Sequence, residues 1–281
     1  MGAVGFIGLG NIGAAMAQRL VDWPEGLLVH DVREEATAPF VEKGARAGSL
    51  KELAVECDVI SIVVLTDAQV RDVVGQLLEH ATEGTVIAVH STIETDTAAE
   101  LAAQALDSGV HVLDAPVSGG AIGASDGRLA VMVGGERSAY EMAKPVFQAW
   151  AELVLHLGPA GAGTRTKLAR NLLTFAGFAA AAEASRLAEA SGIDLRKLAA
   201  VVRHSDGITG GPSAVMIRPN TSVLADDDGL RPIFEHTRTL GEKDLKLALA
   251  LGASVGVDLP FTALALQTLA DGLGVPHEED L

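Results

Sequence analysis

Four groups of residues in this chain of 281 have types and spacings that could do chemistry. The first, Gly8-Leu9-Gly10-Asn11-Ile12-Gly13, follows the apolar run 3–7 and opens a helical pattern. In that setting Gly8 permits a tight turn and Gly10 lets the backbone approach a pyrophosphate. Gly13 lets the helix lie close to the strand, and the helix N-terminus offers free N–H groups and positive dipole. Asp31 ends the next apolar run, 18 residues after Gly13, where a carboxylate accepts hydrogen bonds from an adenosine ribose. It also repels a 2′-phosphate, so the cofactor reads as NAD before NADP. Arg33, two residues on, is a cation that would tolerate that phosphate and keeps NADP open.

The second group, Asp114-Ala115-Pro116-Val117-Ser118-Gly119-Gly120, comes directly after a strand pattern. Its small residues expose backbone N–H groups and a hydroxyl, which suit a carboxylate. An ordinary strand-to-loop turn would explain the two glycines equally. In the third, Lys167 and Asn171 stand four apart and share one helix face. A lysine turned into a crevice between domains loses hydration, which lowers its pKa and lets it exchange protons. Turned outward, it is a solvated side chain. The fourth is Lys243-Asp244 in the helical pattern of Leu240, Leu245, Leu247 and Ala248, which alone reads as helix surface.

The elements that must position these groups change character along the chain. Strands are expected at 3–7, 27–30, 59–64, 86–89, 110–113, 130–133 and 153–157, with amphipathic helices at 12–21, 68–79 and 95–106 between them. Apolar strands alternating with helices indicate a parallel sheet covered on both faces. After the punctuation Gly158-Pro159-Ala160-Gly161-Ala162-Gly163 no strand is expected. A long helix over 164–191, stopped by Gly192, is apolar on nearly every side around Leu172, Phe175 and Phe178, as suits a helix buried between two bodies. Helices at 194–203, 237–251 and 261–273 follow, and 218–232 reads as a solvent-facing loop. The expected fold is therefore α/β: an N-terminal Rossmann domain (1–158) with a parallel-rich doubly wound sheet. An all-helical domain (159–281) follows, linked by a long interdomain helix.

Composition narrows the partners. Hydrophobic residues make up 48% and charged residues 21%, enough apolar side chain for a packed core. The net charge of −16 opposes nucleic acid and anionic membrane surfaces, so neither is an expected partner. A few local cations and amides can still hold an acidic small molecule at cytosolic salt. The triplet Asp226-Asp227-Asp228 reads as a solvated loop, and no metal is expected. Cys57, the one cysteine, allows no intrachain disulfide and reads as a buried small residue. No signal-peptide pattern appears, and the longest apolar run, 172–182, is too short to span a bilayer. The chain is thus expected to be soluble and cytoplasmic.

Taken together, the order and spacing of these pieces resemble the β-hydroxyacid dehydrogenase family, which includes 3-hydroxyisobutyrate dehydrogenase and tartronate semialdehyde reductase. The resemblance runs from Gly5-Phe6-Ile7-Gly8 to Gly13, through Ser91-Thr92-Ile93 and Asp114 to Gly120. It continues at Gly161-x-Gly163, Lys167 and Asn171, and ends at Lys243-Asp244-Leu245. It implies hydride transfer between a nicotinamide and a small hydroxyacid or its semialdehyde, with Lys167 as general acid or base. Asn171 would orient the substrate, and Ser118, Gly119 and Gly120 would hold its carboxylate. Val64, Leu65 and Thr92 would line the nicotinamide half of the site, and Lys243 would close over the cofactor. A homodimer or homotetramer is implied as well.

Arg170, Thr66 and His236 depart from the family pattern, in which Asn, Pro and an aromatic residue are usual. Imine reductases resemble this architecture but usually carry Asp or Tyr at the lysine position. The 6-phosphogluconate dehydrogenases have a far longer helical part. A dinucleotide-binding interaction module without catalysis is a further alternative, and relatives of that kind lose the lysine.

Overall fold

The computed structural model describes residues 2–277, which divide into two units, one ending at Arg170 and the other beginning at Asn171. In the first unit, short apolar runs become strands: β1 Ala3–Ile7, β2 Leu27–His30, β3 Arg46–Ala47, β4 Cys57–Ile62, β5 Val86–Val89, β6 His111–Asp114, β7 Val117–Ser118, β8 Leu129–Gly134 and β9 Ala151–Gly158. They form one sheet in the order β3-β2-β1-β4-β5-β6-β8-β7, with β9 on β8. From β3 to β6 every pair is parallel, whereas β8 runs antiparallel to β6 and β7. The winding reverses beside β1, which opens a crevice at the carboxyl ends of β1 and β4.

The helices between them are α1 Asn11–Gln18, α2 Ala38–Val41, α3 Leu50–Glu56, α4 Asp67–Leu78, α5 Thr95–Leu106, α6 Gly120–Asp126 and α7 Arg137–Gln148. Successive strand residues point to opposite faces. Val4, Phe6, Val29, Val59 and Ala88 pack with Met16 of α1, Phe147 of α7 and Trp150. Ile7, Leu28, Ile60, Ile62 and Val89 pack on the other face with Leu53, Val74 and Leu101 of α3, α4 and α5. Strands buried on both faces need both sets of apolar residues, which is why β1, β2 and β5 read as short apolar runs.

The second unit takes over along α8 (Ala162–Ala190) and continues as α9 Leu195–Thr209, α10 Arg231–Val255 and α11 Pro260–Leu273. Two expectations need correction here. The segment 218–232 is not simply a solvent-facing loop: Leu224 is buried and its amide donates to Gly274 O, and α10 begins at Arg231 with Pro232 in its first turn. The apolar middle of α8 is not enclosed within its own unit, where Leu172, Phe175 and Phe178 are 71%, 63% and 63% exposed. Apolar residues circle that helix, and among the described residues the other helices of its unit leave those sides uncovered. Among the described residues no helix is long and apolar enough to cross a membrane.

Candidate active site

The turn between β1 and α1 is built by backbone crowding. Gly8 has φ +90°, and a Cβ there would strike the Val63 carbonyl; a Cβ on Gly13 would strike the Gly8 carbonyl. Gly10 borders open space and no side chain caps α1. The first amides of α1, from Asn11 and Ile12 onward, therefore face a cradle that a phosphate fits. The Leu9 amide donates to Asp31 Oδ2 at 2.7 Å, tying the turn to the end of β2. The Arg33 amide (2.9 Å) and Nε (3.2 Å) donate to Asp31 Oδ1. Burial works against the Asp31 charge, but these hydrogen bonds outweigh it and hold the carboxyl below the usual range.

Neighbouring strand ends carry the next part of the site. Ser91 Oγ accepts from the Val64 amide (3.0 Å) and donates to the Val64 carbonyl (2.7 Å), joining the loops after β4 and β5. Leu65 is 92% exposed beside it, and Thr92 is exposed too. Thr66 caps α4 through a reciprocal box with Gln69, which accounts for a threonine at that position. His90 is buried against the edges of Phe147 and Trp150. Its Nδ1–H donates to Ala115 O (2.7 Å) and its Nε2 accepts from Ser61 Oγ (3.1 Å). Burial pushes its pKa down to about 4, so the ring is neutral at pH 7. No local pattern gives Ser91 or His90 these bridging contacts, because their partners lie 25 to 29 residues away.

The third part joins β7 to α8. Ser118 pairs with Ala130 of β8, and Gly119 (φ +132°) and Gly120 (φ +66°) follow it. Lys167, in the second turn of α8, donates from Nζ to Val117 O at 2.7 Å, which sets its amine next to the Ser118 segment. Burial, helped by the Arg170 guanidinium, lowers its pKa. Asn171 follows one turn along α8 as the first residue of the second unit. Lys243, on α10 of that unit, has Nζ 3.1 Å from the Asp244 carboxylate. His236 is exposed on the same helix. The glycine turn, Asp31, Val64, Leu65, Thr92, Ser118 to Gly120 and Lys167 thus share the first unit, at or beyond the carboxyl ends of its strands, while Asn171 and Lys243 belong to the second.

Two family models cover this arrangement. The NAD binding domain of 6-phosphogluconate dehydrogenase matches residues 3–158, and the NAD-binding domain of NADP-dependent 3-hydroxyisobutyrate dehydrogenase matches residues 161–279. The chain belongs to the β-hydroxyacid dehydrogenase family. An uncharacterized oxidoreductase of Mycobacterium tuberculosis is 57% identical over 279 residues, 98% of this chain and 95% of that protein. The solved structure of an oxidoreductase from Mycobacterium avium 104 is similar at a TM-score of 0.94 and 56% identity, over 98% of this chain and 99% of that one. That of M. tuberculosis 3-hydroxyisobutyrate dehydrogenase with L-serine aligns at 0.69 and 32% identity, over 96% and 93%. This member of the family is an oxidoreductase with an NAD(P)-binding Rossmann domain followed by a helical one.

Proposed function

We propose that this β-hydroxyacid dehydrogenase interconverts a small β-hydroxyacid and its semialdehyde, uses NAD in preference to NADP, and relies on Lys167 as general acid or base. The observation that carries the reading is the Lys167 Nζ, half-buried and 2.7 Å from the carbonyl of Val117, one residue before Ser118. An amine with a lowered pKa is neutral in a larger fraction at working pH, as an acceptor of a hydroxyl proton must be. The nicotinamide, when bound, supplies the carbon that takes or gives hydride.

The chain's own residues bind, orient and move the proton. Ser118 Oγ and the Gly119 and Gly120 amides hold the substrate carboxylate, and Asn171 orients the carbon that bears the hydroxyl. Lys167 exchanges its bond to Val117 O for one to the substrate oxygen; it takes the proton during oxidation and returns it during reduction. Val64, Leu65 and Thr92 line the nicotinamide half, and Lys243 closes over the cofactor. The preference for NAD is supported by the Asp31 carboxylate and by the cleft beside it, which Glu34, Glu42 and Glu52 also line. Arg33, a cation two residues from Asp31, is already engaged by it.

The test is a substrate panel: 3-hydroxyisobutyrate, L-serine, 2- and 3-hydroxybutyrate and tartronate semialdehyde, each with NAD(H) and NADP(H). Wild type should turn over at least one of them. Lys167→Ala should then lower kcat about 10²–10⁴-fold with the NAD dissociation constant held within about twofold. Unchanged turnover in Lys167→Ala, or no turnover with any compound by wild type, rejects the reading.

A homodimer or homotetramer is part of the same proposal. Its support is the second unit's economy of core: Leu224, Phe234, Leu273 and Val275 form its buried cluster among the described residues, and α9 buries none of its 15 residues. Ile208 of α9 and Phe175 and Phe178 of α8 are more than 60% exposed, the kind of surface that another copy covers. A monomer mass by light scattering at every concentration would rule association out.

A further inference from the structure

The N-terminus of α8 has no cap of its own. Gly161 precedes it in the left-handed region (φ +86°) and has no side chain to offer. Two of the amides at this start are taken instead by Asp114, 2% exposed at the end of β6. Asp114 Oδ1 accepts from the Gly161 amide at 2.7 Å, and Oδ2 accepts from the Thr164 amide at 2.6 Å. A carboxylate group thus meets the positive end of a 29-residue helix. The fit is made possible by two glycines: a Cβ on Gly134 of β8 would strike the Asp114 carboxylate, and one on Gly163 would strike the Met132 and Asp114 carbonyls.

The same two segments are joined again three residues further on. Val117 stands three residues after Asp114, Lys167 three after Thr164, and Lys167 Nζ donates to Val117 O. Segments 114–117 and 164–167 are therefore clamped at both ends, by carboxylate to amides and by amine to carbonyl. A cap carried by the helix's own flanking residues would satisfy the same amides, but it would leave the helix free to shift against the Ser118 segment. One residue of slip along α8 moves a side chain by about 1.5 Å and turns it by about 100°, enough to take a proton acceptor out of reach.

We infer that Asp114 is a positioning residue that sets the amine of Lys167 against the Ser118 segment. This rests on the acid–base role proposed above for Lys167. Asp114→Asn keeps the shape and removes the charge and one acceptor. It should lower kcat about 10–100-fold while leaving the NAD dissociation constant within about twofold. In a Lys167→Ala background the same substitution should change the residual rate by less than about twofold, because the group it positions is gone. A cap that serves stability alone would cost the same factor in both backgrounds.

A second readout needs no turnover. In the protein without substrate or cofactor, acetic anhydride should label Lys167 several-fold faster in Asp114→Asn than in wild type, with Lys243 unchanged, as judged by mass spectrometry. If Asp114→Asn melts too low to handle, Asp114→Ser takes its place in both measurements. Wild-type kcat in the variant, equal losses in the two backgrounds, or unaltered Lys167 labelling overturns the inference. Full activity of Lys167→Ala would instead reject the acid–base role, and the labelling comparison would still decide whether Asp114 holds the lysine.

Discussion

Replacing Glu183 should unfasten α11 from α8. Helix α11 starts at Leu259-Pro260, where leucine cannot cap and proline has no N–H. Its first free donors are satisfied by Glu183 of α8, which is 3% exposed. The carboxylate accepts from the Phe261 amide (2.8 Å), the Thr262 amide (2.8 Å) and Thr262 Oγ1 (2.7 Å). Arg186 at 3.8 Å adds little, being half exposed. In Glu183→Gln one oxygen remains as an acceptor and the amide nitrogen faces a donor. One of the three charge-assisted bonds is lost and the other two keep only a neutral acceptor, at about 0.7–1 kcal/mol each after solvent compensation. The expected cost is about 2–3 kcal/mol, or roughly 4–10 °C in Tm for a chain of this size.

The pH dependence gives the prediction a signature. Burial opposes the Glu183 charge, but the Thr262 hydroxyl, the two amides and Arg186 outweigh it and hold its pKa below the usual glutamate value. A depressed folded-state pKa contributes stability that is present above the unfolded pKa, about 4.3, and is lost as pH falls through the folded value. Wild type and Glu183→Gln should therefore differ by a constant Tm gap above about pH 5.5, and the gap should close on further acidification. Thermal melting by circular dichroism from pH 3.5 to 8 checks this. A loss under about 1 kcal/mol, or a gap that ignores pH, refutes the reasoning. Glu183 lies twelve residues, about 18 Å, along α8 from Asn171, so kcat per folded molecule should stay within about twofold.

Three more outcomes follow from the site. Asp31→Asn removes the charge that opposes a 2′-phosphate and loosens Arg33; the ratio of kcat/KM for NADP to that for NAD should rise at least about tenfold, roughly 1.4 kcal/mol. An unchanged ratio, or a wild type that already prefers NADP, contradicts the role given to Asp31. Arg170→Gln removes a cation that disfavours the Lys167 ammonium, after burial itself. The amine's pKa then rises, so the limb of the oxidative rate that climbs with pH should move to higher pH; no movement, or the opposite, argues against Lys167 as the titrating base. Cys57 is 2% exposed, and burial followed by the charge of Glu56 pushes its thiol up to about 12. Ellman's reagent should label it only on unfolding, and prompt labelling of native protein would show the site is open.

The strands at 3–7, 27–30 and 86–89 are legible as written, because a sheet covered on both faces demands continuous apolar residues and tolerates little else. Strands β3 and β7 are two residues each and carry no pattern of their own; neighbouring strands define them. The glycine turn is legible because each glycine answers a backbone collision within a few residues or a neighbouring strand end. The rest of the candidate site is legible only piece by piece. No periodicity says that Lys167 reaches Val117, fifty residues away, or that His90 bridges Ser61 and Ala115. Such pairs depend on strand order, which is set when β4, β5 and β6 line up in parallel.

Helix starts show where local sequence stops being sufficient. Helices α3, α4 and α9 carry their own caps in Ser49, Thr66 and Asp194, and each is readable from the residue just before the helix. Helices α8 and α11 begin after Gly161 and after Leu259, with Pro260 as the first residue of α11, and neither preceding residue can cap. Both are completed by acids from distant segments, Asp114 and Glu183. A local cap stabilises a helix wherever it lies, whereas a remote one also fixes which element the helix start must touch. Helix α8 uses both ends of this logic: its first turn is held by the acid at the head of the Ser118 segment, and its own Glu183 holds the first turn of α11. The helix that bears Lys167 and Asn171 is thereby held by carboxylates to the sheet at its start and to its helical neighbour further along. A charge-neutral substitution at either acid should loosen one attachment and leave the other intact.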